Sequence, residues 1–303
     1  MEMKYIKTLL TVIVLSAFSY AQVTSTIQTS TARSTALAGS HLASSRSAEL
    51  LFTNPALLAE YQGLGFIAGY QNLFSQSFLT HSTVGFAYDT QHKLGNFGAT
   101  TTSLATRSGG ANLAEETVMG LHYGTYLMQD RLSSLALGVS VNYMQLVYGQ
   151  SAGPSGDGTD GTDLGSASRL GVDVGFVATL GKRHRAAALV KNINNPSIGV
   201  DGYSAALPQT LIGGFAYSPV DEVMTTFSLN YVSGHPVEFH GGLEYELGPK
   251  FSILTGMQSQ PNRLSAGMKM DIKGILIEYG VITHPVLPLT HAISMNFHVD
   301  PGK

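Results

Sequence analysis

The sequence contains no cysteine and no tryptophan, and only 12% of its 303 residues are charged. Without cysteine there is neither a disulfide framework nor a thiolate metal site. The charged fraction is about half of the ~25% usual in a soluble domain. A net charge of −3 leaves no basic footprint, so nucleic acid is not an expected partner. The apolar run Leu9–Phe18 is short of the ~20 residues a spanning helix needs. No unit repeats with a period of about 20–50 residues, which argues against a solenoid or propeller.

What is present starts with an export signal. Lys4 and Lys7 precede that apolar run, and Ser19-Tyr20-Ala21 places small residues at the cleavage positions. Residues 1–21 therefore read as a secretory signal peptide of bacterial type, with Gln22 opening the mature chain. Beyond it the sequence alternates. Val223, Thr225, Phe227, Leu229 and Tyr231 interleave with Met224, Thr226, Ser228 and Asn230, and Ile293, Met295, Phe297 and Val299 with Ser294, Asn296 and His298. Successive strand side chains point to opposite faces, so each segment has one apolar and one polar face. In an exported, glycine-rich chain of low charge this predicts an all-β membrane barrel, apolar face to lipid and polar face inward.

Alternation and turn signals predict fourteen antiparallel strands, near 63–71, 80–89, 93–103, 116–128, 133–148, 169–180, 184–194, 209–218, 223–233, 237–247, 249–257, 263–271, 274–282 and 289–299. Connections after even strands are tight, as at Gln91-His92 and Gly181-Lys182-Arg183. Those after the first odd strands are longer, around 72–79, 104–115, 149–168 and 195–208. Short periplasmic turns alternating with longer outside loops is the barrel pattern. With tryptophan missing, aromatic girdles fall to Tyr70, Phe74, Tyr126, Tyr148, Tyr231 and Phe239.

Residues 32–60 do not alternate. Asn54 before Pro55 is a helix start, because the amide caps and proline suits the first helical position. A short helix with Leu57 and Leu58 on one side needs shelter, and the barrel interior is the nearest. Residues 22–62 are thus expected to form a helical plug and residues 63–303 the barrel, with the N-terminus periplasmic.

Arg33-Ser34 leading to Leu37-Ala38-Gly39, then Asn54-Pro55-Ala56-Leu57-Leu58, resembles the opening motif of FadL-like outer-membrane barrels, most closely the PorV/PorQ branch. Lys191-Asn192-Ile193, Leu207-Pro208, Gly242-Leu243-Glu244-Tyr245 and Thr290-His291-Ala292-Ile293-Ser294 extend the resemblance over nearly the whole mature chain. Ala38-Gly39 departs from the two adjacent glycines usual there, and several outside loops are shorter. The resemblance implies a fourteen-stranded barrel with its N-terminus inside, and a plug motif of Arg33, Gly39, Asn54, Pro55, Ala56 and Leu57.

Inward positions offer Glu238, His240, Glu244 and Glu246 on one strand and Glu278 on another. Glu238 and His240 share a face and could hold a metal with a neighbour, but a solvated or plug-facing lumen explains them more simply. Pairing of these carboxylates with Arg33 or Arg46 is expected, since buried charges need partners. His240, Ser294 and His298 face inward without the spacing of a nucleophile and its base, so no enzyme is expected. Asp157, Asp160 and Asp163 suggest calcium, yet their spacing of three departs from an EF-hand loop, and a glycine-rich outside loop explains them equally well.

No cofactor is expected. The PorV/PorQ resemblance implies a component of protein export, as in type IX secretion, with secretion-system proteins or exported cargo as partners. The wider FadL resemblance implies a channel for uptake of hydrophobic small molecules. Ser140, Asn142, Ser228, Asn230 and the glutamates make a wet interior, and a greasy ligand prefers an apolar pocket. The sequence therefore favours export, at the outer membrane of a Gram-negative-type bacterium with outer-membrane lipid around it.

Overall fold

A computed structural model describes residues 29–44, 47–91, 94–109, 111–151, 153–154, 156, 160–200 and 203–299. The signal peptide, Arg46 and Asp157 lie outside the described residues. The barrel strands are β1 (Leu64–Asn72), β2 (Leu79–Tyr88), β3 (Asn96–Ser108), β4 (Ala111–Gln129), β5 (Ser133–Tyr148), β6 (Ser166–Leu180) and β7 (His184–Lys191). A small hairpin, β8 (Ser197–Val200) and β9 (Tyr203–Ala206), interrupts them. The wall resumes with β10 (Thr210–Val220), β11 (Val223–Val232), β12 (Glu238–Gly248), β13 (Phe251–Gln258), β14 (Arg263–Ile272), β15 (Ile275–Ile282) and β16 (Thr290–Val299).

Fourteen of these strands form one closed antiparallel barrel, each paired to its neighbour in sequence, with β7 joined to β10. Closure comes from β1 on β16, in register from Leu64↔Val299 to Asn72↔His291. With no edge, every strand finds backbone partners on both sides, as a hydrocarbon environment demands. Among the described residues no helix is long and apolar enough to cross a membrane. Phe66, Leu121, Phe176, Phe227, Phe239 and Phe297 all stand exposed on the outer face. Soluble monomers rarely expose contiguous apolar patches beyond a few hundred Å². A surrounding band of this kind calls for lipid.

The strand count and placement follow the alternation, with three departures. The connection expected at 104–115 is a tight hairpin, because β3 and β4 stay paired as far as Ser108↔Ala111. Polar residues on both faces, such as Thr106, Arg107, Asn112 and Glu115, hide this extension from any test of alternation. The segment 195–208 is not a plain loop either: Ile198 and Leu207 bury against Leu146 and Ala167, fastening β8–β9 at the barrel's loop end. Tyr126 is no girdle residue. It packs inward against the central apolar cluster.

That cluster exists because the chain before β1 lies inside the barrel. Helix α1 (Ala32–Ala36) is capped by Thr31, whose hydroxyl accepts the Ser34 N–H. Two 3₁₀ turns follow, Ala48–Phe52 and Pro55–Glu60. Asn54 caps the second, its Oδ1 accepting the Ala56 N–H at 3.0 Å, with Pro55 at the first position. Leu42, Leu50, Leu51, Leu57 and Leu58 meet Ile67, Val177, Leu189 and Ile212 of the wall. Leu57 and Leu58 are fully buried. Each such side chain contributes roughly 1.5–3 kcal/mol by leaving water.

Candidate functional site

Glycine lets the inner segment approach the wall. Gly124, Gly138 and Gly175 stand opposite one another on β4, β5 and β6. A Cβ on Gly138 would sit less than 3.0 Å from Ala56 N and from Pro55 C, and one on Gly124 2.6 Å from Pro55 O. Across the barrel, Gly242↔Gly256 and Gly267↔Gly280 make a second patch. There a Cβ on Gly256 would lie 2.5 Å from Leu37 C, and one on Gly280 3.0 Å from Ala36 N. Gly124, Gly138, Gly256 and Gly280 face backbone of the inner segment, which cannot move aside as a flexible side chain would, whereas Gly175, Gly242 and Gly267 face the side chains of Asn54, Ser40 and Ala36.

Polar side chains of the wall then satisfy the backbone they face. Asn96 Nδ2 donates to Leu58 O and Tyr61 O, both at 2.8 Å. Ser265 Oγ donates to Ala36 O at 2.7 Å, and Ser294 Oγ accepts the Ala32 N–H at 2.8 Å. His240 Nδ1 lies 2.5 Å from Ala38 O, and its Nε2 3.0 Å from Asn230 Nδ2. His298 meets the Tyr61 hydroxyl at 3.1 Å. Burial pushes the Tyr61 phenol up to about 12, so at neutral pH it keeps its proton. At the lower end, Arg185 of β7 pairs with Glu60.

A cluster of charges sits at the centre. Arg33 donates to Glu244 Oε2 through Nε at 3.0 Å and Nη2 at 2.7 Å, and to Ser44 O through Nη1 at 3.0 Å. Lys269 of β14 takes the other Glu244 oxygen. Glu49 is fully buried, with Oε2 3.8 Å from Arg33 Nη1 and Oε1 3.0 Å from His41 Nε2. Burial works against the Arg33 charge, yet Glu244 and Glu49 hold its pKa above the ordinary guanidinium value. Burial likewise opposes the Glu49 charge, but Arg33 and then His41 pull its carboxyl below the usual range. Glu278 completes the group, accepting from Asn296 Nδ2 at 3.1 Å.

On the loop side of the inner segment, between β2–β7 and β10, lies a cavity of about 190 Å³. Leu51, Phe52, Leu104, Val118, Met144, Leu189 and Leu207 give it apolar walls. His81, Glu116, His122, Asn142, Asp173 and Lys191 give it polar ones. Most of these already have partners in the wall. His122 lies 2.8 Å from Thr100 Oγ1 and 2.7 Å from Ser140 Oγ. Asp173 accepts from Asn142 Nδ2 at 2.8 Å and the Asn192 N–H at 2.9 Å, and lies close enough to Lys191 for their charges to interact.

The residues singled out in the sequence are placed as follows. Arg33, Asn54, Pro55, Ala56 and Leu57 are buried in the inner segment, and Gly39 takes a left-handed φ of +78° beside His240. Glu244 and Glu278 join Arg33 in the charge cluster. Glu238 lies 3.3 Å from His240 Nε2, and Glu246 is half-buried beside the β12–β13 turn. Asp163 Oδ1 accepts the Gly165 N–H at 2.9 Å, and Asp160 occupies the same loop. Among the described residues no acidic or histidine group is arranged to hold a metal. The glycine patches and the polar cavity were missed, although β4 carries their signal. There Glu116, Gly120, His122 and Gly124 share the inward parity, against Met119, Leu121 and Tyr123 outside.

No protein-family model matches this sequence, and no curated protein matches it. Solved structures do. The "CymD monoaromatic hydrocarbon channel" superposes with a TM-score of 0.66 at 9% identity, covering 92% of this chain and 100% of that one. The Pseudomonas putida toluene transporter TodX gives 0.58 at 12% identity, covering 89% and 98%. A Pseudomonas aeruginosa FadL homologue gives 0.58 at 10% identity, again over 89% and 98%. At such identities the likeness is one of fold alone.

Proposed function

We propose that the protein is a non-enzymatic outer-membrane channel for small molecules, closed at rest by its own N-terminal segment acting as a plug. The plug is held by Arg33, Gly39 and the Asn54–Leu57 turn, and the N-terminus is periplasmic. The observation that carries this reading is a small cavity on the loop side of a segment packed inside the barrel against its wall. A solute entering from the loop end meets the cavity first and then a floor that has to shift. CymD, a monoaromatic hydrocarbon channel, and TodX, a toluene transporter, support solutes of single-ring size. Export through PorV/PorQ-type partners is less favoured, because the solved structures that superpose on this chain are a hydrocarbon channel and a toluene transporter.

Uptake by whole cells tests the choice. Cells carrying the protein should accumulate labelled toluene at an initial rate severalfold above cells lacking it, with their secreted proteins unchanged. Equal uptake together with loss of a secreted protein from the deletion strain would return the assignment to export.

A further inference from the structure

The cavity carries more polar groups than a pure hydrocarbon would use. Leu104, Val118 and Leu189 give it an apolar side, but Glu116 enters the same wall. Glu116 is only 8% exposed, and its Oε2 is buried with no hydrogen-bond partner. A buried acceptor left in this state costs about 1–3 kcal/mol, more if it is charged. His122, Asn142 and Asp173 are already bonded to wall groups, so they do not relieve it. The unmet need of the cavity is a donor, delivered on something otherwise apolar. Its volume of about 190 Å³ is below the ~300 Å³ at which drug-sized pockets begin, and exceeds the ~150 Å³ that admits benzene.

Resting on the channel reading above, we propose that this cavity binds a compact amphiphile. Its ring lies on the apolar side, and a hydroxyl or ammonium group donates to Glu116. Glu116 is then the residue that separates such solutes from unsubstituted hydrocarbons of the same size. Pockets built to hydrogen-bond one group reject the analogue lacking it far better than they reject a change of one methylene.

Titration of purified protein in detergent with 4-methylphenol, 4-methylbenzylammonium and toluene tests the assignment. One or both donors should bind about tenfold more tightly than toluene, the gain expected of a hydrogen bond to a carboxyl group. In Glu116→Leu all three should fall within about twofold of each other. Glu116→Gln separates the donors, keeping most of the advantage of the phenol and losing that of the ammonium. Unchanged heat-modifiable migration on gels shows that each variant folds. Toluene binding as tightly as both donors, or a preference that survives Glu116→Leu, overturns the assignment. Cellular uptake reports on the channel separately. Uptake of all three without preference removes the proposed solute class alone, whereas binding without protein-dependent uptake removes the channel and leaves the site.

Discussion

Replacing Arg33 with methionine should open the barrel. The guanidinium makes three hydrogen bonds, two to Glu244 and one to Ser44 O, and is the cation beside Glu49 as well. Methionine fills much of the same volume and supplies no charge. Lys269 stays on Glu244, so the larger penalty falls on Glu49, which is left with His41 alone beside it. Removing one partner of a buried pair costs about 3–5 kcal/mol. That is at least a hundredfold in the ratio of docked to released inner segment. The barrel strands keep their ladders, so heat-modifiable migration should persist while conductance in planar bilayers rises and the segment becomes open to protease. Glu49→Gln added to Arg33→Met should recover part of the closed state, because it withdraws the stranded charge. Full closure in Arg33→Met alone would mean that the ion pairs do not hold the segment.

Gly138→Val should act as strongly by a different route. The added side chain would occupy the space of the Pro55–Ala56 peptide, and the Pro55–Glu60 turn would have to leave the wall. Overpacking a tight contact typically costs 1–3 kcal/mol where side chains can yield. Here the obstacle is backbone, so the upper end or beyond is expected. Valine suits a strand, so the barrel should tolerate it. Gly213→Ala, where nothing lies within 4 Å of the added carbon, is the matched control and should behave as wild type. The predicted outcome for Gly138→Val is loss of amide protection across residues 54–61 with the strands still protected. Retained protection there would show that the close approach is dispensable.

Much of this architecture is legible in the sequence because period-2 alternation survives wherever a strand has lipid on one side. It fails where that asymmetry fails. Beyond the lipid band, β3 and β4 carry polar residues on both faces, so alternation does not mark their extension as strand. Inside, Tyr126 looks like an interfacial aromatic until the inner segment gives it an apolar neighbour. The short turn after Asn54 could be read from its cap and proline alone. The position of its backbone against Gly138 could not, since a glycine in a strand does not announce what it makes room for. The glutamates and histidine of β12 stood out as inward polar groups. Their division between the charge cluster and the Ala38 carbonyl depends on the path of the inner segment, which no local pattern specifies.

The most direct measurement compares the conductance of the full chain with that of a chain lacking residues 29–61 in planar lipid bilayers. Both should insert, since closure rests on β1 and β16 alone. The full chain should show rare, small openings, and the shortened chain a large and steady ohmic current. Equal currents from the two would contradict a lumen closed by the protein's own N-terminal segment.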